Sequence, residues 1–235
     1  MSVLARILEK KLKKAGQAVQ GFFGKPAPPA WPERDYPLNL RPNALVRFDP
    51  TMFILAEGVL KISPPAGDWA VVAIGEFTVF NIPYFRFYLK NLYDEELILQ
   101  IGQSEDTSDI VVFKTIDELF PSADGPTTWE NWLDDEFGWI GCIDFHLPDG
   151  TEYYRVVQNP GPSRINPLSF RENVFIENLS SYVEHTTMIY GREISIEGMD
   201  SMVENLIIAQ ECDDDGALVS VNVGLSIMPG SLTIL

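Results

Sequence analysis

From residue 44 onward the chain is a succession of short β-type segments separated by turn residues, and this pattern constrains its fold more than any other feature. Val, Ile, Phe and Tyr dominate these segments, as they do in strands that pack on a pleated surface. The pattern predicts a β-rich α+β body over residues 44–235, with few helices and one or two mainly antiparallel sheet lobes divided near residues 158–168. The candidate strands are residues 44–49, 58–63, 70–82, 96–102, 109–114, 173–177, 186–197, 204–211 and 217–227.

Two local signals organise the middle of the chain. Thr127 and Glu130 have the T-x-x-E spacing of a capping box, which predicts a short helix running to about residue 136. After it, Pro148-Asp149-Gly150 separates two β-type runs within residues 142–157. Because these residues favour tight turns, the run predicts a β-hairpin.

The acidic stretch 211–222, ECDDDGALVSVN, resembles a calcium-binding EF-hand loop, because Gly216 holds the sixth position. Its twelfth position is Asn222, where a bidentate glutamate is needed. The following residues alternate with period two, which indicates a strand where an EF-hand has a helix. We therefore predict a hairpin turn at Gly216 and no calcium site.

Residues 1–23 predict a basic amphipathic helix, because at about 100° per residue the apolar side chains fall on one side. A Pro-rich spacer over residues 24–43 follows it, since proline fixes φ and lacks an N–H donor. Such a helix suits a bilayer surface, a partner's groove or its own body. The residues predicted to make the membrane or partner contact are Leu4, Leu8, Lys10, Lys11, Lys13, Lys14 and Phe22.

Charge is unevenly distributed along the chain. Residues 1–34 carry seven lysines and arginines against Glu9 and Glu33, a net charge of +5, whereas the whole chain has a formal net charge of −17. Residues 35–235 therefore carry −22. A body this acidic repels nucleic acid and anionic bilayers, so we predict no nucleic-acid partner. Only the N-terminal segment suits an anionic membrane surface.

The cysteines and histidines do not predict a metal or thiol site. Cys142 and His146 lie on the same side of a candidate strand, but strand geometry places them about 13 Å apart, too far to share a zinc ion. His185 and Cys212 lack the close spacing of zinc motifs. No nucleotide, phosphate or nucleophile motif is present either. We therefore predict no metal and no cofactor, and we assign no catalytic residue.

The chain also lacks the signals of export and membrane insertion. No apolar run approaches the ~18 residues of a membrane span, and charge interrupts the N-terminus too often for a signal peptide. Two cysteines do not make a disulfide framework. We predict a cytoplasmic location, with membrane association through the N-terminal helix.

One acidic cluster differs from ordinary solvated surface. Its carboxylates lie at the C-terminal end of the predicted helix, where the helix dipole disfavours negative charge, and tryptophans surround them. We predict that this aromatic and acidic segment binds a basic protein partner. The residues assigned to the binding surface are Trp129, Trp132, Asp134, Asp135, Glu136 and Trp139.

Residues 127–162, TTWENWLDDEFGWIGCIDFHLPDGTEYYRVVQNPGP, together with MIYGRE and VNVGLSI further on, resemble the YjfK-like family of uncharacterised bacterial proteins. The resemblance extends over most of the chain. It implies no activity or catalytic residues, because none is established for the family. Members are small, cytoplasmic and often encoded near a PspA-like membrane-stress protein, which implies a role at or near the membrane.

These observations lead us to expect a non-enzymatic interaction or adaptor protein, peripheral to the inner membrane and linked to envelope stress. Two alternatives remain. The first is an enzyme of unknown reaction type whose carboxylates converge on a pocket from separate strands, because active sites assemble across a fold. The second is a structural homo-oligomer subunit that uses the apolar stretch 77–89 as its interface.

Overall fold

The computed structural model describes residues 31–32, 34–103, 108–122, 127–177, 179–196, 198 and 200–235. The predicted helix over residues 1–23 and the first part of the spacer lie outside these described residues.

Strands dominate the described part of the chain. The two helices there have five residues each, and single 3-10 turns occur at Pro37–Asn39 and Pro229–Ser231. In chain order the elements are β1 (Leu45–Phe48), α1 (Thr51–Leu55), β2 (Asp68–Val79), β3 (Ile82–Lys90), β4 (Glu96–Gln103), β5 (Ser108–Leu119), α2 (Trp129–Leu133), β6 (Asp144–His146), β7 (Glu152–Arg155), β8 (Leu168–Ile176), β9 (Leu179–Ile194), β10 (Met202–Asp213), β11 (Gly216–Ser226) and β12 (Leu232–Ile234).

Eight strands close into an antiparallel barrel in the order β2-β3-β4-β5-β11-β10-β9-β8, and β8 returns to β2 to complete the ring. The closing pair places Glu76 opposite Asn173. Both β2 and β9 extend beyond the ring, where β2 pairs with β1 and β9 pairs with β7. Strands on the two sides of residues 158–168 therefore share one sheet.

Alternation along the strands gives the barrel two packed faces. The outer face carries the main apolar core, in which Phe87 of β3 and Leu99 of β4 pack with Tyr36 and Phe53 from outside the barrel. The lumen holds smaller apolar clusters, around Val174 and around Phe113, together with buried polar groups. The long apolar strands are thus buried on both sides, which explains why they do not alternate strictly with polar residues.

Several predictions from the sequence are confirmed. The described residues are β-rich, residues 142–157 contain the hairpin β6–β7, and residues 202–226 form the hairpin β10–β11. Asp213 pairs with Gly216, whose φ of +146° lies in the range that favours glycine. The antiparallel sheet closes into a barrel, and the short strand segments did not predict that closure.

Three predictions about local elements were wrong. Residues 58–63 are not a strand: the main-chain N–H groups of Val59 and Leu60 bond to Ala56 in a turn after α1. Residues 70–82 are not one strand, because Phe80 and Asn81 have positive φ values of +51° and +65° and form the β2–β3 turn.

The third wrong prediction concerns the length and the N-cap of the helix after residue 127. The helix α2 spans only Trp129–Leu133, and its N-cap is Thr128, not Thr127, because the Thr128 side chain accepts from the N–H of Asn131.

The apolar stretch 77–89, considered as an oligomer interface, is largely internal. Phe85 and Leu89 are buried in the outer core, and Tyr88 is buried in the lumen. Among its large apolar side chains, Phe80 at the turn is exposed, with 73% of its surface accessible. Packing within the chain therefore explains why residues 77–89 are largely apolar.

Candidate functional site

A cavity of about 710 Å³, here called the Trp cavity, lies on the outer face of the barrel. Strands β5 and β11 form one wall, and α2 with the loop after it and the β6–β7 hairpin form the others. Its volume falls within the range of ligand-binding clefts. The lining residues are Lys61, Ile116, Asp117, Leu119, Trp132, Trp139, Cys142, Asp144, Phe145, His146, Leu147, Pro148, Asp149 and Val221.

The loop after α2 folds back on the helix and carries Trp139 to the cavity. The N–H of Trp139 donates to the carbonyl of Asn131 at 2.9 Å, and the N–H of Ile140 donates to that of Trp132 at 3.1 Å. Asp134 ends the helix, and its side chain accepts from the N–H groups of the two residues at 136 and 137. These backbone hydrogen bonds lower the pKa of Asp134. Its negative charge is therefore used locally to shape the turn.

Two arginines hold this loop from the opposite side. Arg155 is fully buried, and its guanidinium donates to the carbonyls of Gly141 at 2.7 Å and Pro162 at 2.8 Å. Arg164 donates to the carbonyls of Gly138 at 2.9 Å and Ile140 at 3.3 Å. A guanidinium has five N–H groups and so can satisfy several carbonyls that no strand pairs. The two side chains make a rigid frame for the loop, which the sequence did not reveal.

Aromatic rings form the inner surface of the cavity. Trp132 is 3% exposed and meets Trp139 edge to face, with the ring centroids 4.8 Å apart. Phe145 of the hairpin stacks on Trp132 at 6.3 Å. The hydroxyl of Tyr190 accepts from the N–H of Gly141 and donates to the carbonyl of Trp139. Burial raises the pKa of Tyr190 to about 12, so this hydroxyl stays protonated.

One polar group of this aromatic surface has no partner. The Nε1–H of Trp132 is buried and makes no hydrogen bond to any part of the chain that the structure describes. A buried donor left unpaired is unfavourable by about 1–3 kcal/mol.

The lining of the cavity is acidic. Asp117, Asp144 and Asp149 contribute three carboxylates, against the single ammonium of Lys61. Lys61 Nζ lies 2.5 Å from Asp149 Oδ2 in a partly exposed pair. Lys61, Thr151 and the backbone there lower the pKa of Asp149. His146 Nε2 lies 2.7 Å from Asp144 Oδ2. The cavity thus combines an aromatic interior with excess negative charge.

A buried carboxylate sets the position of Lys61. Glu204 of β10 is fully buried and accepts from the main-chain N–H of Lys61 at 2.6 Å. The same carboxylate accepts from the Tyr153 hydroxyl and from Arg192 Nε, each at 2.7 Å. Burial and the neighbouring Glu204 raise the pKa of Tyr153. One side chain therefore joins the segment after α1, the β7 strand and the barrel.

The cavity does not have the features of a thiol or metal site. The Sγ of Cys142 donates to the carbonyl of Gly138, and burial raises the pKa of this thiol, which favours the unreactive protonated form. Among the residues that the structure describes, no three His, Cys, Asp or Glu side chains are placed to hold a metal ion. What the arrangement offers is an apolar surface with a negative rim.

Comparison with known proteins places the chain in a family. A family described as "Protein of unknown function (DUF2491)" matches residues 12–233. The chain belongs to this family. No curated protein and no solved structure matches the chain significantly. The resemblance to an uncharacterised family is thereby confirmed, whereas the YjfK-like designation stays a prediction.

In this DUF2491 protein the predicted binding segment is divided between interior and surface. Trp132 and Trp139 line the Trp cavity. Trp129 packs half-buried against the outer core, and Asp134 shapes the loop turn. Asp135 and Glu136 are exposed outside the cavity lining. The sequence did not assign the charged lining residues Lys61, Asp117, Asp144 and Asp149 to the site, and Lys61 and Asp117 come from segments distant in the chain.

The DUF2491 barrel also contains a polar cluster in its lumen. Arg86 Nη1 donates to Glu172 at 2.8 Å, and the hydroxyl of Tyr88 donates to the same carboxylate at 2.7 Å. His185 Nε2 lies 2.9 Å from Glu172, although its N–H direction is not aligned for a hydrogen bond. Burial by itself raises the pKa of Glu172, but Arg86, His185 and Tyr88 outweigh it and lower the pKa to about 2.

No helix in the part of this DUF2491 protein that the structure describes is long enough and apolar enough to traverse a bilayer.

Proposed function

We propose that this protein is a non-enzymatic adaptor whose Trp cavity binds a short segment of a basic protein partner. The supporting observation is the combination in one cavity of Trp132, Trp139 and Phe145 with the three carboxylates of its lining. Aromatic side chains supply most of the binding energy at such anchors. Acidic groups at the rim attract a basic partner and repel an acidic one.

The occupant is an extended segment with one large apolar side chain flanked by Lys or Arg. Its apolar side chain fills the space beside Trp139 and Phe145. Its cationic side chains lie near Asp117 and Asp144, because these carboxylates line the cavity. The net charge of −17 over the whole chain strengthens the attraction at long range.

Fluorescence anisotropy with three labelled peptides of equal length tests this proposal. One peptide has Trp and Leu flanked by lysines, the second replaces the lysines by glutamates, and the third keeps the lysines but replaces Trp and Leu by Ser. We expect measurable affinity for the first peptide only. Trp139→Ala weakens that affinity at least about tenfold, because an aromatic anchor contributes roughly 2 kcal/mol or more.

Phe137→Ala is the matched control, since Phe137 is 75% exposed in the same loop and does not line the cavity. It leaves the peptide affinity unchanged. Equal binding of all three peptides, no binding of any, or equal losses in the Trp139 and Phe137 variants would overturn the proposal.

The N-terminal segment supplies the second half of the adaptor role. We propose that its apolar and basic residues, from Leu4 to Phe22, hold the protein at an anionic membrane surface. The sequence supports this, because lysines at positions 10, 11, 13 and 14 adjoin an apolar face on an otherwise acidic chain. Each basic residue near such a surface contributes about 1 kcal/mol.

Sedimentation with vesicles of phosphatidylserine and phosphatidylcholine tests the membrane contact. The full chain is compared with a variant in which Lys10, Lys11, Lys13 and Lys14 are replaced by glutamate. We expect binding of the unmodified chain only, and loss of that binding on vesicles of phosphatidylcholine alone. Equal sedimentation of both chains, or none of either, would rule out the membrane contact and leave the peptide-binding proposal standing.

A further inference from the structure

A separate cavity of about 310 Å³ occupies one end of the barrel lumen. Each of the eight barrel strands contributes at least one lining side chain, so the barrel wall surrounds the cavity. Asp109 and Ser226 at its rim are exposed, whereas Thr187 and Ile207 further in are buried. An eight-stranded barrel is just wide enough to hold one small ligand in this way.

Polar groups with fixed orientation form the base of this lumen cavity. The side chain of Arg86 is 9% exposed, and its Nε donates to Gln100 Oε1 at 2.9 Å. Its Nη1 is held by Glu172, which is fully buried. The Glu172 carboxylate pairs with the guanidinium, so the base presents polar groups and no free cation. Buried ion pairs contribute little to stability, so this pair is more readily explained by a need for polarity at this depth.

The walls are apolar and flat. The ring of Phe77 is stacked between Tyr84, at 5.2 Å, and Phe170, at 4.4 Å between centroids. The stack continues from Phe170 to the imidazole of His185 at 4.9 Å. The guanidinium of Arg86 lies 4.8 Å from the centroid of Phe77, so aromatic walls and polar base are in direct contact.

A buried polar atom without a partner adjoins this stack. The Nδ1 of His185 makes no hydrogen bond within the described residues, although the side chain is only about 1% exposed. Unpaired buried polar groups are rare in proteins and often mark functional positions. The lumen cavity therefore has largely apolar walls and a polar base, and an unpaired buried nitrogen adjoins its aromatic stack.

We infer that the lumen cavity binds a small, flat, uncharged molecule that joins an aromatic ring to an amide or similar hydrogen-bonding group. The ring packs against the edges of Phe77 and Phe170, whose faces already stack on neighbouring rings, and the amide faces Arg86 and Gln100. A charged end group is disfavoured, because the lining offers only the neutralised Arg86 at the base and Asp109 at the exposed rim.

Ligand-observed NMR with three probes of nearly equal size tests this inference. Benzamide, benzoate and benzylamine share a phenyl ring and differ in the charge of the end group. We expect saturation transfer from the full-length protein to benzamide, and signals about tenfold weaker for the two charged probes, because desolvating a charge opposes their entry.

Two substitutions are designed to block the lumen cavity, one inside the barrel and one at the exposed rim. Val111→Phe fills the lumen beside the cavity, and Ser226→Trp narrows its exposed rim. Both abolish the benzamide signal, whereas Val59→Phe, at a position 42% exposed outside the barrel, keeps it. Because Ser226 is exposed, its variant retains the fold even where Val111→Phe does not. Circular dichroism confirms the folded state of each variant.

The outcomes separate this site from the Trp cavity. Trp139→Ala leaves the benzamide signal unchanged, since Trp139 does not line the lumen. A benzamide signal that survives Ser226→Trp, or is absent from the unmodified protein, would overturn the lumen site. A stronger signal from benzoate or benzylamine would overturn the ligand class.

Discussion

The carboxylate of Glu172 lies where a side chain on Gly75 would have to be, because a Cβ built on Gly75 would come within 1.7 Å of Glu172 Oε1. The two residues are on β2 and β8, the pair of strands that closes the barrel. The missing side chain at Gly75 lets Glu172 reach across the lumen to Arg86 and Tyr88. Closure of the barrel and the buried charge pair therefore depend on the same glycine.

Gly75→Ala should destabilise the protein severely. The added methyl displaces the Glu172 carboxylate and leaves the Arg86 guanidinium buried without its partner, which lowers the free energy of unfolding by about 3–5 kcal/mol. Urea denaturation followed by circular dichroism measures the loss. Gly230→Ala is the control, because a Cβ there meets no atom within 4 Å. Similar stability of the two variants would contradict the steric argument.

The stability contributed by Glu172 should disappear in acid. Its pKa is lowered to about 2 in the folded protein from an ordinary value of 4.5. A carboxyl group with a lowered folded pKa stabilises the fold above its unfolded pKa, and that contribution is lost as the pH falls from about 4.5 towards 2. The unfolding free energy, measured by urea denaturation at several pH values, should fall more steeply in this window for the unmodified protein than for Glu172→Gln. Equal slopes would show that Glu172 does not titrate there.

Arg155→Lys should loosen the loop that carries Trp139. A lysine ammonium cannot reach the carbonyls of Gly141 and Pro162 together, as the planar guanidinium does. With hydrogen bonds of charged groups contributing about 1.5–3 kcal/mol each, the variant should lose about 3 kcal/mol or more of stability. Arg47→Lys is the matched control: its ion pair with Asp68 is accessible to solvent, so the loss should be much smaller.

Trp132→Ala and Trp139→Ala should have different effects although the two rings touch. Trp132 is 3% exposed, so removing it leaves a void and lowers the unfolding free energy by about 3–5 kcal/mol. Trp139 is 37% exposed, so Trp139→Ala should lower the unfolding free energy clearly less while weakening peptide binding. Thermal unfolding and anisotropy on the same samples measure both quantities. Equal destabilisation by the two substitutions would contradict their different burial.

Local patterns predicted the hairpins well, because turn residues act within a few positions of the chain. Asp149 and Gly150 form the β6–β7 turn, and Gly216 begins β11, as the sequence indicates. Local patterns could not predict that the barrel closes, because closure requires β2 to pair with β8, and about 90 residues separate these two strands. The turn at Phe80 and Asn81 was missed because Phe80 is a strand-type residue that has positive φ here.

The aromatic part of the candidate site could be predicted from the sequence, but its acidic part could not. The dense tryptophans of residues 129–139 marked the right segment, since Trp132 and Trp139 line the cavity. Which carboxylates line the cavity was not predictable: Asp117 comes from β5 and Asp149 from the β6–β7 turn, whereas Asp135 and Glu136 are outside the lining. Only the tertiary fold brings Asp117 and Asp149 beside the aromatic rings.

The pairing of β2 with β8 and of β5 with β11 also determines when the barrel can finish folding during synthesis. Until residues 168–226 have left the ribosome, β5 and the part of β2 beyond Ala70 have open strand edges, and the interior is incomplete. Contacts this distant in sequence form slowly, and open edges invite pairing with neighbouring nascent chains. Newly made molecules should therefore depend on chaperones more strongly than the stability of the finished barrel would suggest.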